Sequence, residues 1–484
     1  MMVKKSYKAM HAPVIGFAMA TLEDEFDKNL KEKVRSLYRT MFDDFIHTGM
    51  ISKKSLFFGS LESEKDVTGA CEKMTDARVD GIIFHPLTWP AGEAITALAS
   101  YRYLREIPVF VSASPEVFPE NEKPPHPWPQ NSDCGKVFAN SIFYKLDRKT
   151  LSGTGVPDDE VYREKLRNFL TACQLIRRAG NARIAVIGNI LDDFPESFYN
   201  PMSVRRETGI RIMEIDSTVL MTLFEEGSYP ARGLTVDMKD LESEIEAVKK
   251  GVAVQVGEEV LKKTTRLYLA YRTLIQSLGA EGVVIRCAPE FQEKHSIAVC
   301  GVLARLLDNG IVFSGGCEGD VLNTVTGLLQ YYASGGPTTC LDWIDKPGAA
   351  GEGIYTLLHC GNACKSMISE GKGTIAYHQA WTYKDLGYTI EGPLKKGPVT
   401  LSRLRENREG RFELLIVEAE SVAEDMLIRG NFGLASIGRE RLSRLEYELN
   451  ENGWPHHLSL GWGHHGDVLQ AAARFLGDIT VKRI

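Results

Sequence analysis

The sequence predicts an α/β protein: two Rossmann-like domains on open parallel sheets, followed by a mostly antiparallel β domain. Three observations predict it. Short apolar runs alternate with amphipathic stretches from the start of the chain to about residue 316. Beyond about residue 345 the apolar residues recur on a period of two. Between the two textures lies KPGAAGEG (346–353), rich in Gly and Pro.

The first strand is VIGFAMA (14–20), and 22–47 carries the acid–base pairs and apolar stripe of a surface helix. SLFFG (55–59), DGIIFH (80–85) and PVFVSAS (108–114) are further strands, with helices over ESEKDVTGACEKMTDARV and PAGEAITALASYRYL between them. DGIIFH carries a long apolar run, as strands covered on both faces do. EVFPENEKPPHPWPQNSDCG (116–135) reads as a long loop. A second series opens with ARIAVIGN (182–189) and continues through RIMEIDS (211–217), EGVVIRC (281–287) and GIVFSGG (310–316). One long charged helix is expected around 239–277, between RIMEIDS and EGVVIRC. GTIAYHQA, PVTLSRL and FELLIVEAESV are strands of the last domain, and GDVLQAAARFLGDI is a closing helix. The expected domains are 1–178, 179–345 and 346–484.

Composition narrows the function classes. The 484 residues carry a net charge of −7, with 57 Lys and Arg against 64 Asp and Glu, which argues against a nucleic-acid-coating protein. Nine scattered cysteines argue against a disulfide framework and fit a reducing compartment, so a cytoplasmic location is expected. No run approaches the roughly 18 apolar residues of a membrane-spanning helix. His11 and Pro13 break the apolar start, which therefore reads as a strand and not a signal peptide. Neither a phosphate loop nor GxGxxG follows a strand, so no nucleotide cofactor is expected.

The residues with chemical potential are acids and histidines at strand ends, where open α/β sheets bind ligands. GIVFSGGCEGD places Glu318 and Asp320 after an apolar strand, with two glycines that permit close backbone approach. TTCLDWID contributes Asp342, YTLLHCGNA contributes His359, and GWPHHLSLGWGHHGD contributes His456, His457, His464 and His465. Each has a plainer reading. Asp320 suits a helix N-cap, His359 a hydrogen-bonded core position, and the glycine-flanked His464 and His465 solvated surface. Cys360 and Cys364 read as core thiols one helical turn apart. Trp343, Trp454 and Trp462 suit either core packing or a sugar-stacking wall. Glu318, Asp342, His359 and one of His456 and His457 nevertheless lie in apolar settings. Two carboxylates buried together are costly without a cation. Mixed carboxylate–imidazole donors suit Mn²⁺, Co²⁺ or Mg²⁺.

On these stretches the sequence resembles the L-fucose isomerase and L-arabinose isomerase superfamily of aldose–ketose isomerases. GGCEGDVLNTVTGLLQ followed by SGGPTTCLDWID is similar to the arabinose isomerase run. YTLLHCGNA falls where that group has a metal-binding His, and WPHHLSLGWG resembles the terminal His motif of both groups. HPLTWPAGEAI resembles the segment that reaches a neighbouring subunit's active site, and NSDCG a turn of fucose-type members. The resemblance implies a divalent-metal-dependent isomerase, with manganese foremost, that works on an open-chain sugar through an enediol(ate). Glu318 and Asp342 become metal ligands and the acid/base pair, His359 and either His456 or His457 further ligands, and Trp89 a wall of the sugar pocket. A homo-oligomer, a trimer or a hexamer, follows from the same likeness. The second acid is Asp, as in the fucose branch, whereas EGD and HCGN look like the arabinose branch. Fucose-like, arabinose-like and C6-anionic sugars such as sulfoquinovose all remain as substrates. An epimerase or lyase on this scaffold, or a non-catalytic sugar-binding protein, is the alternative.

Overall fold

The computed structural model describes residues 12–22, 28–116, 130–287, 290–346, 353–378 and 386–484. The chain divides into two compact units. One ends at Arg177 and also takes in Gln470–Phe475; the other holds Arg178–Leu469 and Leu476–Ile484.

The N-terminal unit is built on a parallel sheet in the order Leu56–Leu61, Ile15–Ala20, Gly81–Pro86, Val109–Ala113, Thr150–Thr154. Every residue of Ile15–Ala20 and Gly81–Pro86 is buried, as their apolar runs require of central strands. The helix Glu64–Ala77 starts on a capping box, in which Ser63 and Asp66 bond each other's backbone N–H groups. His85 is fully buried and pairs with the Ser112 hydroxyl at 2.9 Å. Trp89 lies in this unit, half-buried, with its ring stacked on Phe138 at 4.7 Å. Most of the loop expected over 116–135 lies outside the described residues, and its end, from Ser132, opens the helix Ser132–Lys145.

The second unit combines a parallel sheet with a barrel. The sheet runs Ser314–Gly316, Gly282–Ile285, Arg183–Ile187, Arg211–Ile215. A ten-stranded sheet follows, and six of its strands close on themselves: Asn431–Ser436, Ile354–His359, Thr338–Asp345, His457–Trp462, Gly397–Glu406 and Phe412–Ser421. All six pairings are antiparallel, and Glu420↔Ser436 completes the ring. Closure removes the free edges that an open antiparallel sheet would expose. Thr338–Asp345, the strand that carries Asp342, belongs to this barrel. Among the described residues no helix is long and apolar enough to cross a membrane.

Three local expectations are corrected. The charged helix around 239–277 is two helices, Leu241–Lys249 and Glu258–Leu278. Gly251 leaves the first at a φ of +79°, and Ala253–Val254 pairs as a short strand before the second begins. Cys360 and Cys364 do not share a helix, because Gly361 adopts a φ of +121° between them; Cys364 is core, whereas Cys360 is half-buried. His465 is buried and not solvated, since its Nε2 meets Gln330 Oε1 at 3.0 Å.

The helix Val321–Ser334 joins the parallel sheet to the barrel. Gln330 Nε2 donates to the Ser459 carbonyl at 2.7 Å, and Thr326 Oγ1 accepts the Leu404 N–H at 2.9 Å. Asp320 caps the helix by accepting the Asn323 N–H at 2.9 Å, so the N-cap reading holds. Its other oxygen accepts from Arg403 at 2.5 Å, with both residues fully buried. Nε and Nη2 of Arg403 have no partner among the described residues, so Asp320 is the main compensation for that charge.

Asp320→Asn is expected to cost about 3–5 kcal/mol, because it leaves the guanidinium buried and unpaired. Burial pushes this carboxyl up, but Arg403 and His457 outweigh it and hold it well below the usual carboxylate range. A depressed native pKa means that the stabilisation is complete above the unfolded value of about 3.9 and is lost as the pH falls through the native one. The stability gap between wild type and variant should thus be widest above about pH 5 and narrow below about pH 4. Urea unfolding across that range measures it.

Candidate active site and metal centre

The site is assembled from one strained turn and three barrel strands. The turn follows Ser314–Gly316. A Cβ on Gly316 would strike the Thr324 hydroxyl and the Asp320 carbonyl, which is why glycine stands there. Glu318 itself sits at a φ of +58°, in the left-handed region, and Gly319 follows at +81°. A non-glycine residue held there costs about 1–3 kcal/mol, and such strain gathers at functional sites. The turn leaves Glu318 buried with its carboxylate facing the barrel end.

Barrel register supplies the rest. Asp342 pairs directly opposite His457 on one side and Leu358 on the other, so His359 follows in the next position. Four of the residues singled out by sequence therefore converge. His457 Nε2 lies 3.2 Å from Glu318 Oε2 and 3.4 Å from Asp342 Oδ1. The His359 and His457 rings are 5.7 Å apart between centroids. His456 is adjacent but different: its ring is 40% exposed, its Nδ1 meets Glu196, and its Nε2 is 3.9 Å from Asp342 Oδ1.

A cavity of about 500 Å³ opens on this cluster, lined by Glu318, Asp342, His359, His456, Glu391 and Arg429 among others. Asp342 Oδ1 and His359 Nε2, on residues of its lining, and His457 Nε2 beside them are buried without a well-formed hydrogen bond among the described residues, although His457 Nε2 faces the Glu318 carboxylate. Buried polar atoms are nearly always paired. Three unpaired donor atoms beside the Glu318 carboxylate fit a shared cation, and two carboxylates with two imidazoles are the donor set that Mn²⁺, Mg²⁺ or Co²⁺ accepts. Cys340 Sγ also lies within 4.8 Å of the His359 and His457 ring nitrogens.

Sequence reading missed three contributors and the reach of a fourth. Asp320, singled out with Glu318 and given a helix cap as its plainer role, does both: its carboxylate also takes His457 Nδ1 at 2.9 Å. That bond fixes the ring with Nε2 toward the two acids, as carboxylates behind ligand histidines do. Glu196 holds His456. Glu391 accepts from Arg429 at 3.0 and 2.8 Å. None of Glu196, Glu391 and Arg429 stands in a motif, so no spacing signal marked them. Trp343 and Trp454 pack in the barrel core, and no Trp is among the described residues that line the cavity.

The electrostatics are strained when the donors face one another without a cation. Burial, with Glu318 beside it, raises the Asp342 carboxyl above its ordinary value although His359 and His457 oppose this. Burial disfavours a charged His457, but neighbouring Cys340, Asp320 and Glu318 outweigh it and raise the ring's pKa.

No family model matches the chain. Sulfoquinovose isomerase of Priestia aryabhattai is 20% identical over 424 residues, which cover 86% of this chain and 88% of that protein. Sulfoquinovose isomerase of Alkalicoccus urumqiensis is 24% identical over 391 residues, 80% of this chain and 82% of its own length. The protein of the same name from Clostridium sp. (strain MSTE9) is 24% identical over 324 residues, 66% and 69% respectively. A solved galactofuranose-binding protein aligns at a TM-score of 0.16 and 11% identity over 67% of this chain and 90% of its own, which carries no argument. The isomerases, aligned along most of the chain, identify it as an isomerase enzyme.

Proposed function

We propose that this isomerase interconverts an aldose and a ketose on an open-chain sugar with an anionic group at C6, sulfoquinovose being the first candidate. It is of the fucose/arabinose isomerase type. The observation that carries the reading is the set of three buried donor atoms, on Asp342, His359 and His457, that meet beside Glu318 where the cavity opens. The names of the similar proteins support the choice of sugar.

Glu318, Asp342, His359 and His457 would hold the divalent ion. His457 is preferred over His456 because its Nε2 is buried and orphaned while His456 is half-exposed and engaged by Glu196. Bound there, Mn²⁺, or Mg²⁺ or Co²⁺, would supply positive charge to the oxygens of the reacting carbons. The chain's own residues do the proton work. One of Glu318 and Asp342 takes the C2 proton and returns it to C1 through an enediol; the other moves a proton between O1 and O2. Asp342, whose carboxyl burial raises above its ordinary value, suits the base of that pair. His456 lines the cavity and is placed to hydrogen-bond a sugar hydroxyl.

Arg429 is the guanidinium among the described cavity-lining residues. Its Nε and Nη2 bond Glu391 and the Tyr377 carbonyl, which fixes the plane of the group. Among the described residues Nη1 has no partner, and it is the donor left to meet a sulfonate or similar anion. The free cysteines fit a cytoplasmic enzyme. We place Trp89 in the pocket of a neighbouring subunit, which requires a homo-oligomer in solution; the resemblance points to a trimer or a hexamer.

Glu318→Gln is expected to lower kcat by about 10²-fold or more with the circular dichroism spectrum unchanged. Chelator-stripped wild type should lose ketose formation and regain it with Mn²⁺. A wild-type rate in Glu318→Gln ends the catalytic assignment. Arg429→Ala should raise KM for sulfoquinovose about 10-fold or more, from the loss of a charged hydrogen bond, and leave an uncharged aldose nearly untouched. Equal effects on both sugars would remove Arg429 from anion recognition. Light scattering that returns a monomer with full activity would remove the shared-pocket role of Trp89.

A further inference from the structure

Four cysteines from four separate segments meet beside the site. Cys287 follows the strand Gly282–Ile285, Cys300 opens the helix Cys300–Asp308, Cys317 follows Ser314–Gly316, and Cys360 follows Ile354–His359. Cys300 and Cys360 have their sulfurs 3.4 Å apart, and Cys300, Cys317 and Cys360 have all three within 4.8 Å of one another. Cys287 Sγ lies within the same distance of Cys317 Sγ. Thiols on a zinc ion, at about 2.3 Å each, stand about 3.8 Å apart, so little movement separates this cluster from a ligand set. A disulfide between any two would strand the third. These thiols take no part in the proton chemistry proposed above.

We propose that Cys300, Cys317 and Cys360 form a second cation site, a three-thiolate pocket with two buried members and one half-buried, for a soft, thiophilic ion such as Zn²⁺ or Cd²⁺. Cys287 stands within reach as a fourth donor. Each thiol that binds releases one proton to solvent, and three thiolates on a divalent ion leave a net charge of −1. Soft sulfur donors select against Mg²⁺ and Mn²⁺, so the two sites sort ions by chemistry. Cys317 immediately precedes Glu318 and Cys360 immediately follows His359, so occupancy pulls on two residues of the cavity and is expected to slow turnover.

The test reads sulfur ligation directly and does not depend on the isomerase reading. Reduced, chelator-stripped full-length protein is titrated with Cd²⁺ in the presence of excess Mg²⁺. The ultraviolet thiolate-to-cadmium absorption is followed, and X-ray absorption reads the donor atoms. The expected result is saturation at one ion per chain with an all-sulfur shell. Cys360→Ser should weaken binding at least 10-fold, whereas Cys340→Ser should leave it unchanged. A shell of nitrogen and oxygen, a mixed shell lost in Cys340→Ser, or no charge-transfer band at equimolar Cd²⁺ would each overturn the proposal. Should Cys360→Ser fail to fold, the donor shell of the wild type decides the matter alone.

Discussion

The carboxylate of Asp320 is the point on which the second unit turns. It caps the helix Val321–Ser334, neutralises Arg403 from the strand Gly397–Glu406, and orients His457 from the strand that begins there. Three elements distant in sequence are thereby locked to one buried charge. Burying an ion pair gains little over apolar packing of the same volume, so stability is a weak reason for it. Its worth lies in placement: the helix start, the barrel wall and the imidazole cannot shift independently.

Around that fixed point the chain accepts two further costs. Glu318 is held in a left-handed backbone conformation, and three buried donor atoms have no hydrogen-bond partner among the described residues. A protein selected for stability alone would relax the turn and pair the atoms. Both costs fall within the same few ångströms, at the floor of the cavity. A site prepared in advance for a charged guest has this form, because the reorganisation is done during folding and not at each turnover.

Barrel closure performs the other half of the positioning. A one-residue slip of register would turn Asp342 to the opposite face of its strand and away from His457. The ring of six strands leaves no edge along which such a slip could start. The same closure brings His359, on the neighbouring strand, to the rim where Cys360 meets the thiols of Cys300 and Cys317. Hard donors and soft donors thus lie side by side, separated only by which way consecutive residues point.

Much of this was legible before any coordinates. Apolar runs without alternation announced strands covered on both faces, and a period of two announced the barrel strands, because side-chain direction follows backbone geometry. Glu318, Asp342, His359 and the pair His456 and His457 were marked as acids and imidazoles at the ends of apolar runs, a local property. The contacts that give those residues meaning are not local. His457 differs from His456 through its burial and its Asp320 partner, and Asp320 differs from an ordinary helix cap through Arg403 and His457, 83 and 137 residues away. Glu391, Arg429 and the thiol cluster lie at no diagnostic spacing, since their meeting depends on strand order and closure. Periodicity encodes which face a residue takes; only the packed chain decides what stands opposite it.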